Sequence, residues 1–424
     1  MHAAACQVIQ GTATYRSLPS AQSIFSTTYP CRPRKATVMH MLTSIRTSNG
    51  KIEIIDQLLL PHATKYVEIT SIEQAYDAIK EMKIRGAPAI ASLASLAFAA
   101  YIQTGLDSAQ PPAFLLSPES LSAQVIQKLD YLSGARPTAV NLGTAIRRLK
   151  AVLQSSIDAG KSVPLIATDL ISEGKLIADE DFDRNKRMAE HGGEWLAELD
   201  RGSGGSGQGL NVLTVCNTGS LATSGYGTAL GLITYLHEQK KLGKAYYTQT
   251  APYHQGSRLT ALELKTMQVP SVMICDTMVG SLFQHHKIHA VAVGADRIAR
   301  NGDTANKIGT YNAAVLAARH KIPFIVVASI SSVDLDTPDG SSIPIEHRKP
   351  LEACLVRGAV HPFEFDVEGK VRQETVMITP SGLEGIYNPS FDVTPAELIT
   401  AIVTEKGVAT RKEGETSFDL SGVV

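Results

Sequence analysis

Residues 211–220 read NVLTVCNTGS, and this stretch decides the fold. Residues 212–215 form a short apolar run of β-type character. The run delivers Cys216 into a turn built from Asn217, Thr218 and Gly219. A glycine-punctuated helical pattern, GYGTALGLITYL, follows from Gly225. In an open α/β sheet, ligands bind beyond the carboxyl ends of the strands, where such turns lie. A thiol placed there meets a ligand beside backbone N–H groups and a helix N-terminus. That placement favours a chemical role for Cys216 over a packing role.

The alternation continues downstream. Strands are expected at 212–215, 245–248, 272–275, 290–293 and 324–328, with helical patterns at 225–239, 257–267, 277–286 and 309–319. Apolar strand runs joined by crossover helices predict a parallel, doubly wound sheet. Upstream, residues 41–199 read as mainly helical. KIEIIDQLLL, from Lys51, suggests a strand entering a turn. Ser71 with Gln74 resembles a capping box, and Ile72, Ala75, Tyr76, Ile79 and Met82 recur at helical spacing. That helix is expected to end at Arg85-Gly86-Ala87, with Pro88 opening the next one. SLASLAFAAYI, from Ser92, reads as a buried helix, and no apolar run approaches the roughly 20 residues of a membrane span. RGSGGSGQG, from Arg201, is a flexible loop by composition. Its Gly202, Gly204 and Gly207 match G-x-G-x-x-G loosely, but the loop precedes a strand and so fails as a dinucleotide fingerprint.

Length and composition set outer bounds. With 424 residues, two domains are the prior, and 44% hydrophobic with 19% charged residues is ordinary globular composition. A net charge of −1 argues against non-specific nucleic-acid binding. Five scattered cysteines include no C-x-x-C pair, so neither a zinc site nor a disulfide framework is expected, and a reducing compartment fits. Residues 1–40 stand apart: they carry Arg16, Arg32, Arg34 and Lys35, many Ser and Thr, and no acid before Glu53. That is the look of an organellar transit peptide. The plainer reading is a disordered tail or an over-long start, with Met39 and Met41 just ahead of ordered-looking sequence.

Each strand of the second half ends in polar residues. The first reaches Cys216. The second runs into QTAPYHQGSR with Gln249, His254, Gln255 and Arg258, the third ends at Asp276, and the fourth, AVAVGAD, at Asp296. Parallel strand ends converge on one crevice, so these groups are candidates for one site. Asp276, before TMVGSL, reads as a helix cap. Asp296 follows Gly294-Ala295, where the backbone can approach a ligand closely, and reads as functional. Asn306 and Lys307 are expected at a helix entry, whose free N–H groups and dipole favour an anion. Arg85 beside Gly86 and Ala87, and Arg136 ahead of Pro137, repeat that arrangement. Together the three basic groups suit a phosphorylated small molecule. His285, His286 and His289 lack metal-site spacing and read as a solvated helix end; Cys275 reads as a buried strand residue.

IRGAPAI, ARPTAVNL, TVCNTGSLAT, PYHQGSRLTALEL, CDTMVGSL, AVGADRIARNGDTANKIGTYNAAVLA, IPIEHR and NPSFDVTPAELITAIVTE occur in this order between about Met41 and Lys406. In these segments the chain resembles the methylthioribose-1-phosphate isomerases, within the group that includes regulatory subunits of the translation-initiation nucleotide exchange factor. The resemblance implies a small N-terminal domain, 41–199, ahead of a Rossmann-like parallel-sheet domain, 200–424. It implies a homodimer, cytoplasmic with nuclear presence, while the basic N-terminus leaves mitochondrial import open. It implies conversion of 5-methylthioribose 1-phosphate to 5-methylthioribulose 1-phosphate in methionine salvage, with no cofactor, metal, nucleic acid or membrane. Asp296 matches the proton donor and Cys216 the group that stabilises the transition state. Arg85, Gly86, Ala87, Arg136, Gln255, Asn306 and Lys307 match substrate-binding positions.

The residues suit that chemistry. A phosphate ester on the anomeric carbon blocks free ring opening, so an acid is needed at the ring oxygen, and Asp296 supplies it if an apolar surround raises its pKa. A thiol near C1 or C2 can shuttle a proton or stabilise charge, and a hydride shift between the carbons is the other route. Two departures stand out. Gln249-Thr250-Ala251-Pro252 replaces the usual E-T-R-P, and His347 in IPIEHR sits where a second acid is common. Two other readings use the same fold: a non-catalytic regulatory protein, and an isomerase of another sugar phosphate such as ribose 1,5-bisphosphate.

Overall fold

The computed structural model describes residues 41–412 and 414–424, so the basic extension expected at 1–40 lies outside the described residues. The chain enters through an antiparallel sheet of three short strands, β1 (Ile45–Ser48), β2 (Lys51–Ile55) and β3 (Tyr66–Ile69). Ile52 and Ile54 alternate to one face of β2 and are buried there. Helix α1 (Ile72–Lys80) follows, and the Ser71 hydroxyl caps it by accepting from the Gln74 N–H at 3.2 Å. The expected capping box closes one residue early: the Gln74 carboxamide oxygen accepts from the Thr70 N–H, at 2.8 Å.

Helix α1 stops at Lys80, short of the expected end at Arg85. Met82 takes a left-handed conformation (φ 59°), and the Ile84 N–H turns back to the Ala78 carbonyl. This swings Ile84 into the core, where it is fully buried. Arg85 therefore sits on a connecting segment. Helix α2 (Ala87–Leu106) then runs for 20 residues, longer than the apolar run at 92–102 suggests. It is long and apolar enough to cross a membrane, which corrects the reading that no segment is. Here it is a core helix, enclosed by α1, α3 (Pro118–Ser133), α4 (Val140–Asp158) and α5 (Val163–Gly202). Gly174 of α5 lets that helix close onto α2, since a Cβ there would lie 2.8 Å from the Ser95 carbonyl oxygen.

Helix α5 is 40 residues long and passes through the boundary expected at 199/200. It packs on α2 and α4 at one end, and on α6 (Ala229–Glu238) and the edge of the large sheet at the other. The sheet is built from β4 (Leu210–Thr214), β5 (Leu242–Thr248), β6 (Ser271–Ile274), β7 (Ala290–Val293), β10 (Phe324–Val327), β15 (Ala401–Thr404) and β16 (Gly407–Thr410). Its order is β16-β15-β10-β7-β4-β5-β6, all parallel except the antiparallel β16. The expected strand at 290–293 matches β7. Strand β5 starts earlier than expected because Leu242 and Lys244 pair with Leu210 and Asn211. The crossovers use α6, α7 (Ala261–Thr266), α8 (Val279–His285) and α9 (Thr310–Arg319).

From β4 the chain winds outward to β5 and β6, then returns to place β7 on the other side of β4. The direction of winding reverses between β4 and β7, which is where an open sheet of this kind leaves a crevice at its carboxyl edge. A smaller sheet of β8 (Arg297–Ala299), β9 (Thr304–Lys307), β11 (Val333–Asp334) and β14 (Phe391–Thr394) leans over that edge. A hairpin, β12 (Leu355–Ala359) with β13 (Gln373–Met377), completes the described elements.

Phe98, on α2, is fully buried among the helices. Phe98→Ala is expected to cost about 3–5 kcal/mol. Urea unfolding followed by circular dichroism measures this.

Candidate active site

The winding reversal sets two chain turns side by side. Strand β4 pairs with β7 through Val212 opposite Ala290 and Leu213 opposite Val291. Just past their carboxyl ends, one turn carries Cys216 and the other Asp296. Both line a single cavity, together with Arg85, Arg136, Asn306 and Lys307.

Cys216 is held in a left-handed conformation, φ 74°. For a residue with a Cβ this costs roughly 1–2 kcal/mol. The surroundings hold the strain: the Cys216 N–H donates to the Thr250 hydroxyl at 3.0 Å, and its carbonyl accepts from the Thr260 hydroxyl at 2.7 Å. The thiol is half-buried and takes the Gln255 side-chain N–H at 3.4 Å. Gln255 does not itself line the cavity. It is fully buried behind the thiol and touches the site through sulfur.

Asp296 follows the glycine that the sequence marked. A Cβ on Gly294 would press to 3.1 Å of the Thr218 methyl, so glycine lets the end of β7 close against the Cys216 turn. The Asp296 N–H donates to the Ala305 carbonyl at 2.9 Å, which anchors it to the small sheet. Removal from water pushes the Asp296 carboxyl above the usual carboxylate range. Arg136, Lys307 and Arg85 pull it back, and Glu346 adds to the rise. The net direction is upward, as an acid needs.

Three cations surround it. Lys307 is buried, and burial together with the Arg85 charge lowers it to about 8, against the pull of Cys216 and Asp296. Arg85 lies over the Tyr253 ring at 4.3 Å, and Arg258 lies over the same ring at 4.8 Å. Arg258 is fixed by the carbonyls of Tyr253, Gln57 and Leu60. One buried guanidinium N–H group of Arg85, Nη1, has no hydrogen-bond partner among the described residues, nor has the buried Asn217 side-chain nitrogen. Arg85 and Asn217 both line the cavity, and unpaired buried donors beside it suit an anionic, oxygen-rich ligand. Arg136 pairs with Glu346 at 3.3 Å. Gly86 is required on steric grounds, since its Cβ would meet the Ala222 carbonyl oxygen at 2.1 Å.

Several expectations are corrected. Asn306 and Lys307 close strand β9 and are not at a helix entry. The first N–H groups of α9, on Gly309 and Tyr311, donate to the Asp392 carboxylate at 2.7 and 3.1 Å. The protein's own carboxylate thus occupies the expected helix-terminus anion site, and anion binding falls to the side-chain cations. Asp276 does not cap its own helix. Its carboxylate accepts from the N–H groups of Thr250 and Ala251, both at 2.8 Å, and so holds the turn whose Thr250 hydroxyl grips Cys216. His289 is not solvated like His285 and His286: its Nδ1 accepts from the Asn211 N–H at 2.9 Å and pins the start of β4. Cys275 is half-buried just past β6, outside the strand.

The two departures also find places. Gln249 turns its amide to the His254 ring at 3.1 Å, and Ala251 is exposed. Neither lines the cavity. Sequence reasoning missed Tyr253, Thr250 and Thr260 as supports of Arg85 and Cys216. Their signal in the sequence is only position: Tyr253 lies inside the PYHQGSR segment, with Thr250 before it and Thr260 after it.

A family description, Initiation factor 2 subunit family, matches residues 83–411. Methylthioribose-1-phosphate isomerase of Postia placenta is 67% identical over 383 residues, covering 90% of this chain and 99% of that protein. Among solved structures, 5-methylthioribose 1-phosphate isomerase from Pyrococcus horikoshii OT3 has a TM-score of 0.71 at 34% identity, covering 87% of this chain and 92% of that one. Translation initiation factor eIF-2B, subunit delta, from A. fulgidus has a TM-score of 0.67 at 34% identity, covering 87% and 96%. With Cys216 and Asp296 facing one cation-lined cavity, and with these identities over nearly the whole length of the relatives, the chain belongs to the initiation factor 2 subunit family, on its methylthioribose-1-phosphate isomerase branch.

Proposed function

We propose that this chain is an aldose–ketose isomerase that converts 5-methylthioribose 1-phosphate to 5-methylthioribulose 1-phosphate, a step of methionine salvage. The observation that carries the reading is the pairing of a half-buried thiol and an acid of raised pKa in one cavity with Arg85, Arg136 and Lys307. The net reaction moves one hydrogen from C2 to C1 and one proton from the C2 hydroxyl to the ring oxygen. The three cations and the Asn217 amide take the phosphate oxygens and hold the anomeric carbon between the two turns. Asp296 gives its proton to the ring oxygen as the ring opens. Cys216, fixed by Thr250, Thr260 and Gln255, stands at C1 and C2, where charge develops. We read the chain as a smaller, mainly helical portion that ends with α5 at Gly202 and a Rossmann-like portion beyond it, working as a homodimer in the cytoplasm.

Turnover of 5-methylthioribose 1-phosphate by the purified protein tests the reading. Cys216→Ala and Asp296→Asn are each expected to lower kcat by about 10²–10⁴-fold while the far-ultraviolet dichroism stays unchanged. A folded parent protein without turnover would move the reading to a regulatory relative.

The pH dependence follows from the signs of the shifts. Lys307 carries its charge below about 8 and loses it above, so phosphate binding weakens as pH rises through that value. KM is expected to climb above pH 8 in the parent protein. In Lys307→Met it is expected to be high throughout and without that rise, measured by initial rates from pH 6 to 9.5.

A further inference from the structure

Glu263, on α7, is a buried acid that the isomerisation does not use. One carboxylate oxygen, Oε2, accepts from the Ser220 hydroxyl at 2.7 Å and from the Leu221 N–H at 3.4 Å. The other, Oε1, has no partner among the described residues. The carboxyl group presses on the next turn of chain: a Cβ on Gly219 would lie 2.4 Å from Oε2. Among the described residues no charged side chain contributes to its state. Burial pushes it up to about 7, and only the hydrogen bonds from Ser220 and Leu221 oppose that rise. A carboxyl group so placed is costly beside an apolar side chain of similar size, so what it holds is informative.

What it holds lies between the two halves of the site. The turn at 219–223 follows directly on Asn217 and Thr218, which form one cavity wall. Its Ala222 lies against Gly86, between Arg85 and Ala87 of the other wall. From the far side, the Gln57 amide donates to the Leu221 carbonyl at 2.7 Å, and the Ser44 hydroxyl donates to the Thr223 carbonyl. The turn is thus gripped from α7 on one side and, on the other, from the segments that flank β1 and β2, and it spaces the Cys216 turn from the Arg85 segment.

We propose that Glu263 is a positioning residue for this site: its carboxyl group fixes the 219–222 turn and thereby the separation between Cys216 and the Arg85 guanidinium. The role rests on the isomerase reading for its catalytic consequence, but not for its effect on anion binding. Below pH 7 the neutral acid keeps both of its hydrogen bonds and buries no charge. As pH rises through about 7 the group ionises without a counter-charge, and the stability present at low pH is lost over the interval from the unfolded value, 4.5, to about 7. A glutamine at this position keeps the accepting oxygen and never ionises.

The experiment compares the full-length protein with Glu263→Gln and Glu263→Ala. It reads inorganic phosphate binding by calorimetry, turnover of 5-methylthioribose 1-phosphate, and melting temperature from about pH 5 to 8.5. At pH 6 Glu263→Gln is expected within about threefold of the parent protein in phosphate affinity and in kcat/KM. Glu263→Ala is expected to weaken phosphate roughly tenfold and to lower kcat/KM by about 10–100-fold, with KM and kcat both affected. Between pH 5 and about 7 the parent's melting temperature should fall relative to that of Glu263→Gln, and above pH 7 the difference should stay level. Should Glu263→Ala fail to fold, Ser220→Ala removes the shorter hydrogen bond alone and should weaken phosphate binding by a smaller factor. A folded Glu263→Ala that binds phosphate and turns over like the parent overturns the proposal, as does a Glu263→Gln as damaged at pH 6 as the alanine variant. If the parent lacks turnover, the isomerase reading fails, while the phosphate measurement still decides the role of Glu263.

Discussion

The parallel pairing of β4 with β7 is the constraint on which the rest depends. It joins two strands 78 residues apart through Val212–Ala290 and Leu213–Val291. Because the sheet winds away from this pair in both directions, the turns beyond it are not covered by crossover helices. A side chain at the end of either strand can face an open crevice while its backbone is held by the most buried part of the sheet. Cys216 and Asp296 take those two positions. Their supports come from the neighbouring strands: Thr250 from the turn after β5, itself held by Asp276 after β6, and Ala305 from β9.

The electrostatics follow from that enclosure. An acid removed from water rises in pKa, and a buried lysine falls. Here both shifts occur within one cavity, and each group is also acted on by the same Arg85 and Arg136. Three cations without an equal number of acids would be costly in a sealed core. Glu346 offsets one of them by pairing with Arg136, and Tyr253 accommodates two guanidinium groups on its ring. The remaining excess of positive charge matches a phosphate ester.

Much of the sheet was legible because buried parallel strands are short, continuous apolar runs between turn residues. Strand β7 and its Gly294-Ala295-Asp296 exit are the clearest case. The helix starting at Ala87 was legible from Pro88, but its length was not, because the residues before Ser92 are alanines, a proline and an isoleucine that fit a core helix and a loop equally well. The end of α1 was not legible either. Met82 has no intrinsic reason to turn left-handed, and does so because Ile84 must reach the core. Asn306 and Lys307 looked like a helix entry because a helix follows three residues later. Antiparallel pairing with β14 and β8 makes the segment a strand, and Asp392, far along the chain, takes the helix N-terminus.

Sequence by itself determined the alternation of strands and helices, the chemical identity of the groups at the strand ends, and the family. These are local properties, set by apolar spacing, glycine and proline placement, and motif order. Tertiary structure alone decided which strand ends meet, which acid is pushed upward by loss of water, and which N–H groups are already occupied. Burial, pairing and desolvation depend on residues brought together from far along the chain, 39 positions for Gln255 at Cys216 and 210 for Arg136 at Glu346. No spacing rule along the chain encodes those distances.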